Sequence, residues 1–373
     1  MAVPPRDKKG LRTGFTTGAC AAAAAKAATR ILLRAAPLES IESTLPNRQR
    51  VIFPLAHAER EGDLARCAVV KDGGDDPDCT HGARIVAEVS LRNTAGVEIR
   101  GGEGVATVTK PGLGLEVGGP AINPVPRRNI AEMVEEELRG SQYAGAVVTI
   151  SVPGGEELAK QTTNARLGLL GGISILGTSG IVKPYSTAAY RASVVQAIDV
   201  AKERGIDDVV LTTGGKSEAY AMKLFPHLPE EAFVQMGDFV GVAVKHAARR
   251  RFPRAHIVGM IGKLSKMANG KMQTHVAGSE VNLELLAGFA RELGADFATC
   301  ERIGAANTAR HVLEICTERG IVHLTELICQ RAVEHTEKHA GSSLAIAAIM
   351  VDFGGALLAR HPRVEAVIPG GPS

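Results

Sequence analysis

Three stretches of the chain gather side chains that do chemistry. The first is Lys71-Asp72-Gly73-Gly74-Asp75-Asp76-Pro77-Asp78-Cys79-Thr80-His81-Gly82, which follows an apolar run. Its four carboxylates in seven residues repel one another unless a cation, a proton or hydrogen bonds hold them. Such crowding raises carboxylate pKa values and would make one of Asp72, Asp75 or Asp76 a general base near neutrality. The same residues also read as a solvated turn with Asx caps, and the spacing and closing Glu of an EF-hand are missing. The second stretch is basic. A proline-stiffened arm, Pro120 to Pro126, delivers Arg127 and Arg128 to a helix start, where cations oppose the helix dipole. An anionic ligand accounts for them better than helix stability does. Arg166 precedes the glycine-rich stretch 168–172, and Lys183 stands before Pro184. Each alone reads as a surface charge, but together with Lys71 they fit a ligand carrying several carboxylates. The third stretch is Leu11-Arg12-Thr13-Gly14-Phe15-Thr16-Thr17-Gly18-Ala19-Cys20, which runs into Ala21–Ala25. Thr16 and Thr17 are N-cap residues ahead of strong helix formers. A helix start with bare N–H groups takes an anion, and an alanine face leaves room for a flat molecule. The competing reading is a tightly packed core helix.

A fourth set depends on strand ends. Asp208–Thr212 reads as a strand ending in Gly214 and Gly215, the next strand ends at Gly237-Asp238, and a third ends between Gly259 and Gly262. In doubly wound sheets, ligands bind at the carboxyl ends of strands, and an acidic residue about 20 positions past the glycine turn takes ribose hydroxyls. Asp238 stands near that distance from Gly215, so these tips suit a nucleoside. Plain turn chemistry, with Asp238 as a helix N-cap, is the alternative, and the full GxGxxG fingerprint is missing. His335 and His339 lie at i,i+4 on a helical pattern, but HExxH is absent and no metal site is expected.

Two kinds of framework must hold these sets. The first half alternates short strands with Gly/Pro turns: 51–55, 66–71, 84–91, 104–109 and 146–152, interrupted by helices 19–34 and 128–139. This pattern predicts an α+β domain. From 188 on, the order becomes helix 192–204, strand 208–212, helix 214–224, strand 232–236, helix 238–251, strand 255–261 and helix 263–268. That alternation predicts an α/β domain with a parallel sheet. Residues 283–359 read as mostly helical, and Val364–Ile368 as a closing strand. The predicted boundary falls at 187, giving domains 1–187 and 188–373, two being what 373 residues suggest.

Composition narrows the function classes. Aromatic residues make up 3% and Trp is absent, which argues against base-stacking platforms for nucleic acid. Net charge is +3, and the one basic tract, Arg249–Arg251, closes a helical pattern where cations meet the dipole favourably. Six cysteines without a CxxC pair fit a reducing, cytoplasmic setting. Neither a signal-peptide pattern nor an uncharged apolar run of about 20 residues appears, so no membrane role is expected.

The opening signature resembles that of the CbiD family, the cobalt-precorrin-5B (C1)-methyltransferases of anaerobic cobalamin biosynthesis. The resemblance extends through 69–82, 120–130, Pro153-Gly154-Gly155-Glu156-Glu157-Leu158 to Asn164, Arg166-Leu167-Gly168 and Gly171–Val182. It continues through Gly237-Asp238-Phe239-Val240-Gly241 and Gly262-Lys263-Leu264-Ser265-Lys266-Met267-Ala268. Val125 and Ala165 depart from the family pattern, which has Gly and Pro there. The resemblance implies an N-terminal domain like ribosomal S5 domain 2 and a Rossmann-like second domain. It also implies S-adenosylmethionine as methyl donor and a cobalt-corrinoid substrate, with cobalt present only as part of that substrate. Thr16, Thr17, Lys71, Arg127, Arg128, Arg166 and Lys183 would then hold the substrate's carboxylates. Asp72, Asp75 or Asp76 would move a proton or stabilise a cationic macrocycle, and Gly214, Gly215, Asp238, Gly259 and Gly262 would hold the donor. A homo-oligomer and transient contacts with other cobalamin-pathway enzymes are compatible with this reading. The rival readings are a non-catalytic carrier of corrinoid intermediates, an NAD(P)-dependent tetrapyrrole reductase, and small-molecule phosphoryl transfer.

Overall fold

The computed structural model describes residues 10–275, 280–321, 323–341 and 344–362. The chain forms two compact units, 1–187 and 188–373. The first is a mixed sheet covered by helices. Its strands are β1 (Gly14–Phe15), β2 (Ser40–Thr44), β3 (Arg50–Pro54), β4 (His57–Glu61), β5 (Leu64–Val70), β6 (Arg84–Arg92), β7 (Gly96–Gly101), β8 (Thr107–Val108), β9 (Gly145–Ser151), β10 (Leu169–Leu170) and β11 (Ile181–Val182). Its helices are α1 (Thr17–Arg34), α2 (Pro124–Leu138) and the short α3 (Gly155–Ala159). The central sheet has the order β4-β5-β6-β9-β7. Every pair is antiparallel except β7 with β9.

Alternation along β6 shows how this sheet finds its core. Ile85, Ala87 and Val89 are buried, while Arg84 is exposed and Val86, Glu88 and Ser90 are partly exposed. One face therefore carries the apolar set, as the two-residue period requires. Helix α1 packs on that face against β5 and β6, and α2 packs on α1. From Thr17 to Thr29 every residue of α1 is buried, so its small side chains let sheet and helix approach on all sides. The alanine face expected to receive a flat ligand is therefore filled by the protein's own core. Buried Lys26 donates to Glu136 of α2 at 2.9 Å, and Arg30 is bidentate to Glu137. Strands β2, β4 and β7 went unread in the sequence; β4 is exposed throughout, so it lacks an apolar alternation.

The second unit alternates helix and strand: α4 (Thr187–Glu203), β12 (Asp208–Thr212), α5 (Gly215–Leu224), β13 (Phe233–Gln235), α6 (Val240–Arg249), β14 (Arg254–Gly259) and α7 (Ile261–Ala268). Then come α8 (Leu283–Glu292), α9 (Phe297–Gly304), α10 (Ala309–Glu318), α11 (Leu324–Ala340), β15 (Ala345–Val351) and β16 (Leu357–His361). Asn282, Asp296 and Thr308 each accept the backbone N–H three residues on, capping α8, α9 and α10. Sheet order is β13-β12-β14-β15-β16, parallel up to β15, with β16 antiparallel at the edge. Residues 283–340 are mostly helical as expected, but β15 and β16, which follow, went unread. All of β15 but its first residue is buried, and an unbroken apolar run gives no period by which to tell strand from helix. The strand expected at Val364–Ile368 lies outside the described residues.

Candidate functional site

Within the first unit, the opening turn, the acidic loop and the segment 174–185 converge at the start of α1. Strand β1 pairs with β11, Gly14 opposite Val182 and Phe15 opposite Ile181. Phe15 N donates to the Asp72 carbonyl at 2.7 Å, Thr16 N to that of Gly180 at 3.0 Å, and Gly18 N to that of Leu176 at 3.0 Å. Thr16 is the N-cap, its Oγ1 accepting from Ala19 N at 3.2 Å. Thr17 Oγ1 accepts from Leu176 N at 2.9 Å. Gly18 N and Ala19 N, two of the donors expected to be bare, are taken by the Leu176 carbonyl and the Thr16 hydroxyl, so the chain itself fills much of the helix start that an anion was expected to use. The backbones meet so closely that a Cβ on Gly14 would lie 2.2 Å from the Gly73 carbonyl carbon. One on Gly177, at φ +137°, would lie 2.2 Å from Thr16 Oγ1.

Each of the four carboxylates accepts hydrogen bonds, Asp72 and Asp75 sharing Arg12. Asp72 pairs with Arg12 and accepts from Gly74 N at 2.9 Å. Asp75 accepts from Arg12 N at 2.6 Å, and Asp76 from Tyr185 N at 2.9 Å. Asp78 accepts from Lys71 Nζ at 2.6 Å, and from Thr80 N and Oγ1 at 2.8 and 2.6 Å. Burial would raise the Asp72 pKa, but the Gly74 N–H, the Arg12 hydrogen bond and charge, and His81 together hold it below the ordinary carboxylate value. Burial likewise opposes Lys71 and Thr80 at Asp78, and the net direction is again down. The expectation of a raised pKa is therefore corrected at Asp72: crowding is relieved by donors to each carboxylate. Lys71 is also corrected as an outward-reaching cation, because it is 1% exposed and bound to Asp78. Cys20, beneath this cluster, is wholly buried, and burial pushes its thiol up to about 12.

Arg127, Arg128 and Lys183 stand near this cluster, while Arg166 lies by Lys110. Arg127 and Arg128 are exposed in the first turn of α2. Arg127 Nη1 donates to the Ile99 carbonyl at 3.2 Å, and Arg128 lies 3.9 Å from Glu132. A Cβ on Gly18 would sit 2.6 Å from Pro126 Cγ, so the α2 start abuts the α1 start. Lys183 is exposed beside β11, while Arg166 is half-buried with its carbonyl held by Lys110. Three residues join the site that the sequence reading passed over. Arg12 bridges Asp72 and Asp75. His81 Nδ1 accepts from Gly73 N at 3.0 Å. Tyr185, at φ +53° and 69% exposed, is held by Asp76. No spacing rule pointed to Arg12 or Tyr185, whose roles come from contacts 60 and 109 residues away.

In the second unit the chain leaves β12 for β13 on one side and returns to β14 on the other. The carboxyl ends of β12 and β14 therefore flank a switch point, where open sheets bind ligands. A Cβ on Gly214 or Gly262 would meet no atom within 4 Å, and one on Gly215 only Gln235 Nε2 at 4.0 Å. Gly259 differs: its Cβ would fall 3.0 Å from Thr213 Cγ2, so packing explains that glycine. Asp238 follows β13 but does not cap α6, whose N-cap is Phe239. Its Oδ1 pairs with Lys263 Nζ and accepts from Thr274 Oγ1 at 2.9 Å, while Oδ2 has no partner among the described residues. Lys266, one turn after Lys263, is 6% exposed and donates to the Thr274 carbonyl at 3.0 Å. Burial and the charge of Lys266 push Lys263 below the usual lysine value. The i,i+3 lysine pair was visible in the sequence, but only burial shows that it is not a solvated helix face. His335 and His339 both lie on α11, and no group of three or more metal-ligating side chains occurs among the described residues.

The family model described as CbiD matches residues 4–184, and that described as CbiD, C-terminal domain, matches 273–362. A protein of Leptospira borgpetersenii serovar Hardjo-bovis (strain JB197), named cobalt-precorrin-5B C(1)-methyltransferase, is 57% identical over 94% of this chain and 95% of its own. Proteins of the same name from Thermus thermophilus and Geobacillus kaustophilus are 51% and 50% identical, covering 97% and 96% of both chains. A crystal structure of the cobalamin biosynthesis protein CbiD from Archaeoglobus fulgidus is 28% identical, with a TM-score of 0.37 over 83% of this chain and 85% of that one. Identity at this level over nearly the whole chain shows that the chain belongs to the CbiD family.

Proposed function

We propose that this protein methylates C1 of cobalt-precorrin-5B with S-adenosylmethionine, giving cobalt-precorrin-6A and S-adenosylhomocysteine in cobalamin biosynthesis. The observation that carries this is the 57% identity over 94% of the chain to a protein named for that reaction. The donor supplies a methyl already activated on a sulfonium, so the protein has to align, bind and exclude water rather than attack. The residues of the first cluster suit that division of labour, since Cys20 is a neutral buried thiol and not a nucleophile.

The finer assignment follows the two units. Residues 1–187 are the S5-domain-2-like part and 188–373 the Rossmann-like part, the latter supported by its parallel strand order. Arg127, Arg128, Lys183 and Arg166 hold carboxylates on the corrinoid's rim, and the exposed Tyr185 ring offers a face to the macrocycle. Asp72, kept ionised by Arg12 and Gly74, provides negative charge beside a macrocycle that becomes more positive as the methyl arrives. Asp75 and Asp76 orient the loop through Arg12 and Tyr185. The open glycines 214, 215 and 262 leave room for the donor. The six free cysteines fit a reducing cytoplasm, and no helix among the described residues is long and apolar enough to cross a membrane.

Anaerobic incubation with cobalt-precorrin-5B and methyl-labelled S-adenosylmethionine tests this reading, with product mass and label position as readouts. One label at C1 is expected. Pigment retained on the protein without transfer would support the carrier reading instead.

A further inference from the structure

Buried charge of both signs lies at the strand tips of the second unit: Lys266 and, in the first turn of α5, Glu218, which accepts from Gln235 Nε2 at 2.6 Å. Lys263 and Lys266 both point to the region of Asp238 and Thr274, yet Asp238 is the one carboxylate in ion-pair contact with either among the described residues. An ammonium as buried as that of Lys266 has three donors to satisfy, and the Thr274 carbonyl takes one. A buried charge without a counter-charge is costly, and no ion pair joins Lys266 to a carboxylate among the described residues. Asp238 carries the complementary asymmetry, with both contacts on Oδ1 and Oδ2 unused. One free cation beside one half-used anion matches a zwitterion.

We propose that this cluster binds the amino-acid end of the methyl donor: Lys266, assisted by Lys263, takes the α-carboxylate, and Asp238 Oδ2 takes the α-ammonium. This reassigns Asp238 from the ribose hydroxyls that strand-tip spacing alone suggested. The inference rests on the methyl-donor reading above and goes beyond it by naming which end of the donor each group holds. The adenosine end then lies toward Gly214, Gly215 and Gly262, where side-chain space is open.

Calorimetry on the full chain with two probes tests the assignment. S-adenosylhomocysteine carries the amino-acid end, and 5′-methylthioadenosine lacks it. The native protein is expected to prefer S-adenosylhomocysteine. Lys266→Met should weaken S-adenosylhomocysteine by about 30-fold or more while leaving 5′-methylthioadenosine within about twofold. Asp238→Asn should show the same selective loss, and Lys266→Arg should restore part of the preference, which a merely structural residue would not. Removing an unpaired buried cation should also leave the ligand-free Lys266→Met protein as heat-stable as the native one, or more so. Equal loss of both probes, or no loss of either, overturns the assignment while the methyl-donor reading survives. A native protein that binds neither probe overturns both. Selective loss of cobalt-precorrin-5B binding in Lys266→Met, with both probes unaffected, would move the site to a substrate carboxylate.

Discussion

The two clusters use the same kinds of side chain and end in opposite states. Around the start of α1, every carboxylate of the acidic loop has a donor, and Lys71 has Asp78. At the strand tips of the second unit, Lys266 is buried with a single carbonyl partner, and Asp238 keeps one oxygen unused. Net polar satisfaction separates them. A cluster whose groups answer one another fixes loops, whereas one left with uncompensated charge is built around something that arrives later.

The largest expected effect tests the satisfied side. Asp78→Ala strands the ammonium of Lys71, and unfolding in urea should show a loss of about 3–5 kcal/mol. A neutral result would put both clusters in the same class. The pH dependence sharpens this. The folded pKa of Asp78 lies below its ordinary value of 3.8, so the stability it contributes is present above that pH and drains away as pH falls below it. Asp78→Asn should flatten that acid limb of the urea midpoint, while Lys266→Met leaves it unchanged.

Backbone approach comes next. Gly14→Ala places a methyl 2.2 Å from the Gly73 carbonyl carbon and should cost about 1–3 kcal/mol in urea unfolding. The same change at Gly262, where no atom lies within 4 Å, should be tolerated by the ligand-free fold but weaken S-adenosylhomocysteine binding in calorimetry. If both cost the same, openness at the strand tips is not a mark of the site. The smallest effect is at Thr16, where Thr16→Ala removes the α1 cap and should lower stability by about 1 kcal/mol.

Much of this was legible in the residues. Strand 208–212 and the start of α5 follow from an apolar run and a double glycine, and α1 from its caps and alanines. The same reading placed Thr16, Asp72, Asp75 and Asp76 among residues of interest, and the fold brings them together. It could not show how they are held, because satisfaction is decided by partners far along the chain. Arg12, 60 residues from Asp72, pairs with two of the loop's four carboxylates. Leu176, far along the chain, gives its carbonyl to the N–H of Gly18 at the helix start. Lys266 was read as part of a motif but not as a charge, since periodicity cannot distinguish a buried ammonium from one that reaches water.

The pairing of the opening turn with residues 174–182 has a consequence for how the protein is made. Thr17 waits for a partner that emerges 159 residues later. At about 5–20 residues per second, that is a delay of roughly 8–32 s during synthesis. Local hairpins such as β2–β3 and β4–β5 need no such wait, so the segment written first is among the last to be locked. Helix α1 can be covered earlier by β5, β6 and α2, but the opening turn lacks its closing partner until then, and a nascent-chain protease assay should find cleavage at Arg12 until segment 174–182 is out.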